Sequence, residues 1–169
     1  MSEAWPYERS RDAILRAATS LATKDGLDTL SAGTLAAALG RSEIGRGAPS
    51  GSRQELQLAT VTEAARIFDE EVVQPALAAP AGLGQLAAVC EAFLAHLERH
   101  SVPGGCFMAS AALEMDARPG PVRDLIASLQ ARFGELISGF AVTALASHEL
   151  SPGEEIGRAS CRERVSTIV

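Results

Sequence analysis

Residues 9–26, RSRDAILRAATSLATKDG, and residues 31–42, SAGTLAAALGRS, decide the fold. In the first stretch Ile14, Ala17, Ala18, Leu21 and Ala22 recur at i, i+3, i+4, i+7 and i+8, the apolar stripe of an amphipathic helix. Asp25-Gly26 ends it, because glycine adopts the left-handed conformation that closes a helix. Ser31 then caps a short helix with Leu35, Ala36 and Leu39 on its inner face, and Gly40 closes that one in turn. A tight turn at Gly40-Arg41-Ser42 leads into another short helix near Ser42 to Ala48. Ser52 with Glu55 three residues on reads as a capping box. It opens a long helix to about Val73, carrying Leu56, Leu58, Val61, Ala64, Ile67 and Phe68, with Pro75 as its stop. Long, short, turn, short, long is a helix-turn-helix arrangement, whose second short helix is sized for a DNA major groove.

Outward from that unit the helical period continues. Ala76 to Gly84, rich in Ala, Pro and Gly, reads as a turn. A helix from about Gln85 to His100 directs Leu86, Val89, Cys90, Phe93 and Leu97 inward, and Pro103-Gly104-Gly105 breaks it. Cys106 to Met115 forms a short apolar helix. Pro119-Gly120-Pro121 starts a long final helix through Leu125, Ile126, Leu129, Phe133, Leu136, Ile137 and Phe140. Neither strand alternation nor a hairpin signal occurs, so the expected fold class is all-α.

Composition narrows the function classes. The 169 residues carry a formal charge of −6, with 47% hydrophobic and 21% charged residues, a soluble globular balance rather than a disordered or collagen-like one. Met1 to Leu56 holds seven basic and seven acidic residues, so the net acidity belongs to the remainder, which has no electrostatic reason to approach phosphate. Cys90, Cys106 and Cys161 are odd in number and widely spaced, against both a disulfide framework and a zinc ribbon. The start, MSEAWPYERSRD, is no signal peptide, and the most apolar stretch, Leu136 to Ser147, falls short of the roughly 20 residues a bilayer span needs. A cytoplasmic protein without membrane contact is expected.

At fixed offsets the chain resembles the TetR family of bacterial transcriptional regulators. The resemblance runs through Ile14-Leu15-Arg16-Ala17-Ala18-Thr19-Ser20-Leu21, Gly26, Ser31, Leu35-Ala36-Ala37-Ala38-Leu39-Gly40, Ser42 and Ser52-Arg53-Gln54-Glu55-Leu56. More loosely it includes Gln54 to Val61, Pro103 to Phe107 and Arg118 to Asp124, so that it covers about Arg9 to Leu150. It implies a DNA-binding domain over residues 9–69, with the helix-turn-helix at about 31–50, and a helical ligand-binding and dimerisation domain over 70–154. It further implies a ligand-responsive repressor: a homodimer on double-stranded operator DNA, released when a small-molecule effector enters the later helices. Ser31, Thr34, Arg41, Ser42, Glu43, Arg46 and Arg53 are the candidate DNA-contacting residues; Phe93, Leu97, Cys106, Phe107, Met108, Leu113 and Phe133 are the candidate pocket.

The chain departs from the family pattern at its centre. Between Ser42 and Ser52, where the family carries a Leu, an aromatic, a His and a Phe, stand Arg46, Gly47, Pro49 and Ser50. Losing two buried aromatic side chains costs about 3–5 kcal/mol each, and each of Gly45 and Gly47 lowers helix propensity by about 1 kcal/mol. A short, mobile or malformed recognition helix is the expectation: either the chain reads DNA poorly or the segment is a sequence error. This keeps a second reading open, a helical ligand-binding or interaction module whose DNA-reading helix is degenerate. The end also stands apart: EIGRASCRERV (Glu155 to Val165) resembles the translation of a sequencing adapter, and 155–169 is expected to be a non-native tail that truncates the family's second dimerisation helix. Poor dimerisation follows from that expectation.

Enzymatic and metal chemistry find no support. His96 and His100 have helical metal-ligand spacing but no second pair, and a solvated helix end explains them. Cys106 reads as a small buried hydrophobe. Glu114 and Asp116, two apart on a helix, cannot face one another as an acid–base pair. No nucleophile triad, P-loop or dinucleotide fingerprint occurs, so neither enzyme activity, cofactor nor metal is expected.

Overall fold

In the computed structural model the described residues are 6–39, 52–98 and 105–150, with side chains from residue 11 onward. All their regular structure is helical. Helix α1 spans Pro6–Asp25, a 3₁₀ turn Leu27–Thr29, α2 Ala32–Leu39 and α3 Arg53–Phe68. A π-helical turn at Asp69–Val73 joins α3 to α4, Gln74–Ala78, and α5 (Leu83–Glu98), α6 (Phe107–Met115) and α7 (Pro121–Ala146) follow.

Local signals placed most of these boundaries. Gly26 sits at φ 95° after α1, where an L side chain is strained. The Ser52 hydroxyl accepts from the Glu55 N–H at 3.3 Å while the Glu55 carboxylate accepts from the Ser52 N–H at 2.9 Å, a complete capping box. Pro75 behaves otherwise than the sequence reading expects. It does not end the helix at about Val73; the chain winds into a π turn, with the Gln74 N–H bonded to the Asp69 carbonyl, and Pro75 enters the first turn of α4. A proline lacks the N–H that an uninterrupted helix would use, and the wider turn absorbs that loss. Helix therefore extends to Ala78, into the stretch expected to be a turn.

Two apolar clusters organise the chain. The larger joins Ile14, Ala18, Ala22, Leu27, Leu30, Leu35, Leu56, Val61 and Ala64 to Phe107, Ala111, Met115, Val122 and Ile126, so the N-terminal helices share one core with α6 and the first turns of α7. The smaller contains Val72, Ala76, Val89 and Phe140, with Phe68, Phe93, Phe133 and Leu136 half-buried around it. Helix α7 is 26 residues long and passes the length and composition test for a bilayer span, although its apolar stretch alone read as too short; only 11% of its most apolar window is buried.

Candidate functional site: a cavity and a clamp on the N-terminal helices

Among the described residues a cavity of about 690 Å³ opens between α3, α4, α5, α6 and α7. Its aromatic wall centres on Phe68, whose ring meets Phe133 edge-on at 5.0 Å and Phe93 at 6.0 Å between centroids. Offset and edge-to-face contacts of this kind suit ring quadrupoles and leave ring faces for a third body. The π turn contributes to the wall, since Asp69 and Val73 line it beside Phe68 and Leu77. Cys106 comes from just before α6 and Met108 and Ala109 from α6 itself; from α7 come Leu129, Gln130, Arg132, Phe133 and Leu136. The polar wall groups of α3 and the π turn are committed elsewhere. Arg66 donates to Glu63 and Glu70, which raises its pKa, and Asp69 accepts from the Gln74 side chain at 3.0 Å.

Of the seven candidate pocket residues, Phe93, Cys106, Met108 and Phe133 line this cavity. Phe107 turns the other way, 4% exposed in the larger cluster. Leu97 is half-buried off the wall, and Leu113 is 84% exposed. Sequence reading missed Phe68 as a wall residue because a Phe on the apolar face of a long helix carries no mark distinguishing wall from core.

His96 is buried, contrary to the sequence expectation. It is no solvated helix end: its ring is 6% exposed, Nδ1 lies 2.6 Å from a Glu71 carboxylate oxygen, and its edge meets Phe68 at 5.7 Å. The π turn that admits Pro75 also brings Glu71 to α5. Among the described residues no group of three His, Cys, Asp or Glu side chains is placed to hold a metal.

A second constellation lies where α6 meets the N-terminal helices. The Glu114 carboxylate accepts the backbone N–H groups of Leu27 and Asp28, both at 2.7 Å, across 87 and 86 residues of sequence. Those N–H groups begin the 3₁₀ turn and have no partner within it. Gly26 permits the approach, for a Cβ there would stand 3.2 Å from a Glu114 oxygen as well as at positive φ. From α3, Gln57 donates to the Leu27 carbonyl at 2.9 Å. Asp28 is bridged by two guanidinium groups, Arg118 after α6 at 2.6 Å and Arg53 at the start of α3 at 3.0 Å. The hydrogen bond and charge of Arg118, with the charge of Arg53, hold the Asp28 carboxyl below its ordinary pKa and keep Arg118 protonated.

The candidate DNA-contacting residues divide accordingly. Arg53 is half-exposed at the clamp. Ser31 and Thr34 cap α2 reciprocally: the Ser31 N–H donates to the Thr34 hydroxyl at 2.9 Å and the Thr34 N–H to the Ser31 hydroxyl at 3.1 Å. Arg41, Ser42, Glu43 and Arg46 lie outside the described residues, as does the tail from Glu155.

The arrangement defines a class: a small helical N-terminal unit, capped and clamped, joined through a shared core to a helical bundle with a cavity. Comparison with known proteins agrees. Residues 82–160 match the family model described as the tetracyclin repressor-like, C-terminal domain. The fold is similar to the crystal structure of a TetR transcriptional regulator from Chloroflexus aurantiacus, with a TM-score of 0.73 and 21% identity over 88% of this chain and 75% of that one. No curated protein matches the sequence. The likeness to the tetracyclin repressor-like family model thus lies in the C-terminal part of the chain, and the likeness in fold extends over most of it.

Proposed function

We propose that this protein is a cytoplasmic, non-enzymatic transcriptional regulator, most simply a repressor. Its N-terminal helices bind operator DNA, paired as a homodimer in the intact protein, and its cavity holds a small-molecule effector. The observation that carries the reading is the Glu114 clamp. The helix that contributes Met108 and Ala109 to the cavity wall ends by gripping the Leu27–Asp28 turn from which α2 departs. Met108 and Glu114 are six residues apart, about 9 Å along a single rigid helix, so a ligand that displaces one displaces the other. Because the first turn of α3 is tied to the same point through Arg53 and Asp28, the displacement reaches both flanks of the helix-turn-helix segment. In a dimer on two half-sites about one helical turn apart, small changes of spacing cost affinity at both, and couplings of about 1–3 kcal/mol suffice for regulation.

The departures between Glu43 and Gly51 support the alternative, a ligand-binding or interaction module with a degenerate reader. Selection from a random duplex DNA library at low salt separates the two. The chain should enrich an inverted repeat, more strongly after Arg46→Leu, Gly47→Phe, Pro49→His and Ser50→Phe are introduced together. No enrichment by either chain would leave the module reading.

A further inference from the structure

Resting on the reading of the cavity as the effector site, we propose that its ligand is an amphipathic anion. Its apolar body sits on the Phe68, Phe93 and Phe133 rings, and its carboxylate or equivalent oxyanion is held by Arg132. The wall chemistry selects this class. Asp69, the one wall carboxylate among the described residues, already accepts from Gln74, and the Arg66 guanidinium is occupied by two glutamates. The Thr62 hydroxyl donates to the Leu58 carbonyl within its own helix. Arg132 and Gln130 remain: exposed wall residues on α7 with no side-chain partner among the described residues, both offering N–H donors. A guanidinium favours a planar oxyanion over a neutral acceptor because the bond is charge-assisted. The rings and the Val73, Leu129 and Leu136 side chains offer nothing to a compact hydrophilic anion, which would lose its hydration without compensation. Apolar body and charged end are both required, and about 690 Å³ accommodates a ligand of two or more fused or linked rings.

Two dyes that differ in a single sulfonate test this on the full chain: 1-anilinonaphthalene-8-sulfonate and neutral N-phenyl-1-naphthylamine, titrated by fluorescence at moderate salt. The sulfonated dye should bind about tenfold more tightly, the effect of one charge-assisted contact. Arg132→Gln should remove that preference while leaving the neutral dye unaffected, and Arg132→Lys should keep most of it. Ala109→Trp, which fills the cavity from an exposed helix position, should block both dyes. Equal affinities in the unaltered chain, an unchanged preference in Arg132→Gln, or undiminished dye binding in Ala109→Trp would each overturn the assignment. The companion readout is retention of DNA selected as above. Charge-selective binding without DNA release refutes the effector reading and leaves the ligand class standing; release by both dyes alike does the reverse.

Discussion

The two apolar clusters have different jobs, and their packing says so. The larger is closed: Leu27, Leu30, Leu35 and Val61 are fully buried in it, and helices from both ends of the chain fill it. The smaller has four fully packed residues, and its aromatic side chains stand half-buried around open volume. Tight packing transmits displacement because it does not deform continuously, whereas unfilled apolar volume is where a ligand gains contacts that the protein lacks. The difference teaches that the cavity end of this molecule is loose by construction and the clamped end is tight.

Paired truncations test that contrast most strongly. Leu35→Ala, in the closed cluster, should cost about 2–5 kcal/mol in denaturant unfolding. Leu136→Ala, on the cavity wall, should cost clearly less, because the void it enlarges is already open to solvent or ligand. Equal costs would erase the distinction. Next in size is the joint between the regions: Glu114→Ala strands two N–H groups and should cost about 1–3 kcal/mol. Ser52→Ala, which removes half of the capping box, should cost about 1 kcal/mol.

Much of the fold was legible because helices announce themselves locally. Ser52-x-x-Glu55, Gly26, Ser31 and the stripe from Ile14 to Ala22 each act within a few residues, and each is present as read. What escaped is non-local. Glu114 acts on main-chain N–H groups, which have no side-chain signature to pair with it, so on its own helix it reads only as a carboxylate without a partner. His96 meets Glu71 only because a π turn changes the register ahead of Pro75, and a proline in a sequence more often signals a stop. Four of seven pocket candidates line the cavity for a similar reason. Helical spacing identifies an apolar face, but which neighbour that face meets, as with Phe107 and Phe133, is decided by the crossing of helices.

The smallest predicted effect is electrostatic. With its carboxyl held below the ordinary value by Arg118 and then Arg53, Asp28 contributes stability that is present above the unfolded-state pKa near 3.8 and is lost as pH falls through the lower folded value. Asp28→Asn should therefore flatten the acid limb of the stability–pH curve below about pH 4 and change little at neutrality. An unchanged acid limb would show that the two arginines do not act through this carboxylate.

The cavity wall and the N-terminal helices meet through Glu114. Amide hydrogen exchange at Leu27 and Asp28, followed with the cavity empty and with it occupied by 1-anilinonaphthalene-8-sulfonate, reads that joint directly. The account predicts slow exchange at both amides, changed severalfold by the dye in the unaltered chain and fast but insensitive to dye in Glu114→Ala. Exchange at Leu27 and Asp28 that ignores the dye while the Phe68 and Phe93 environments respond to it would contradict the account.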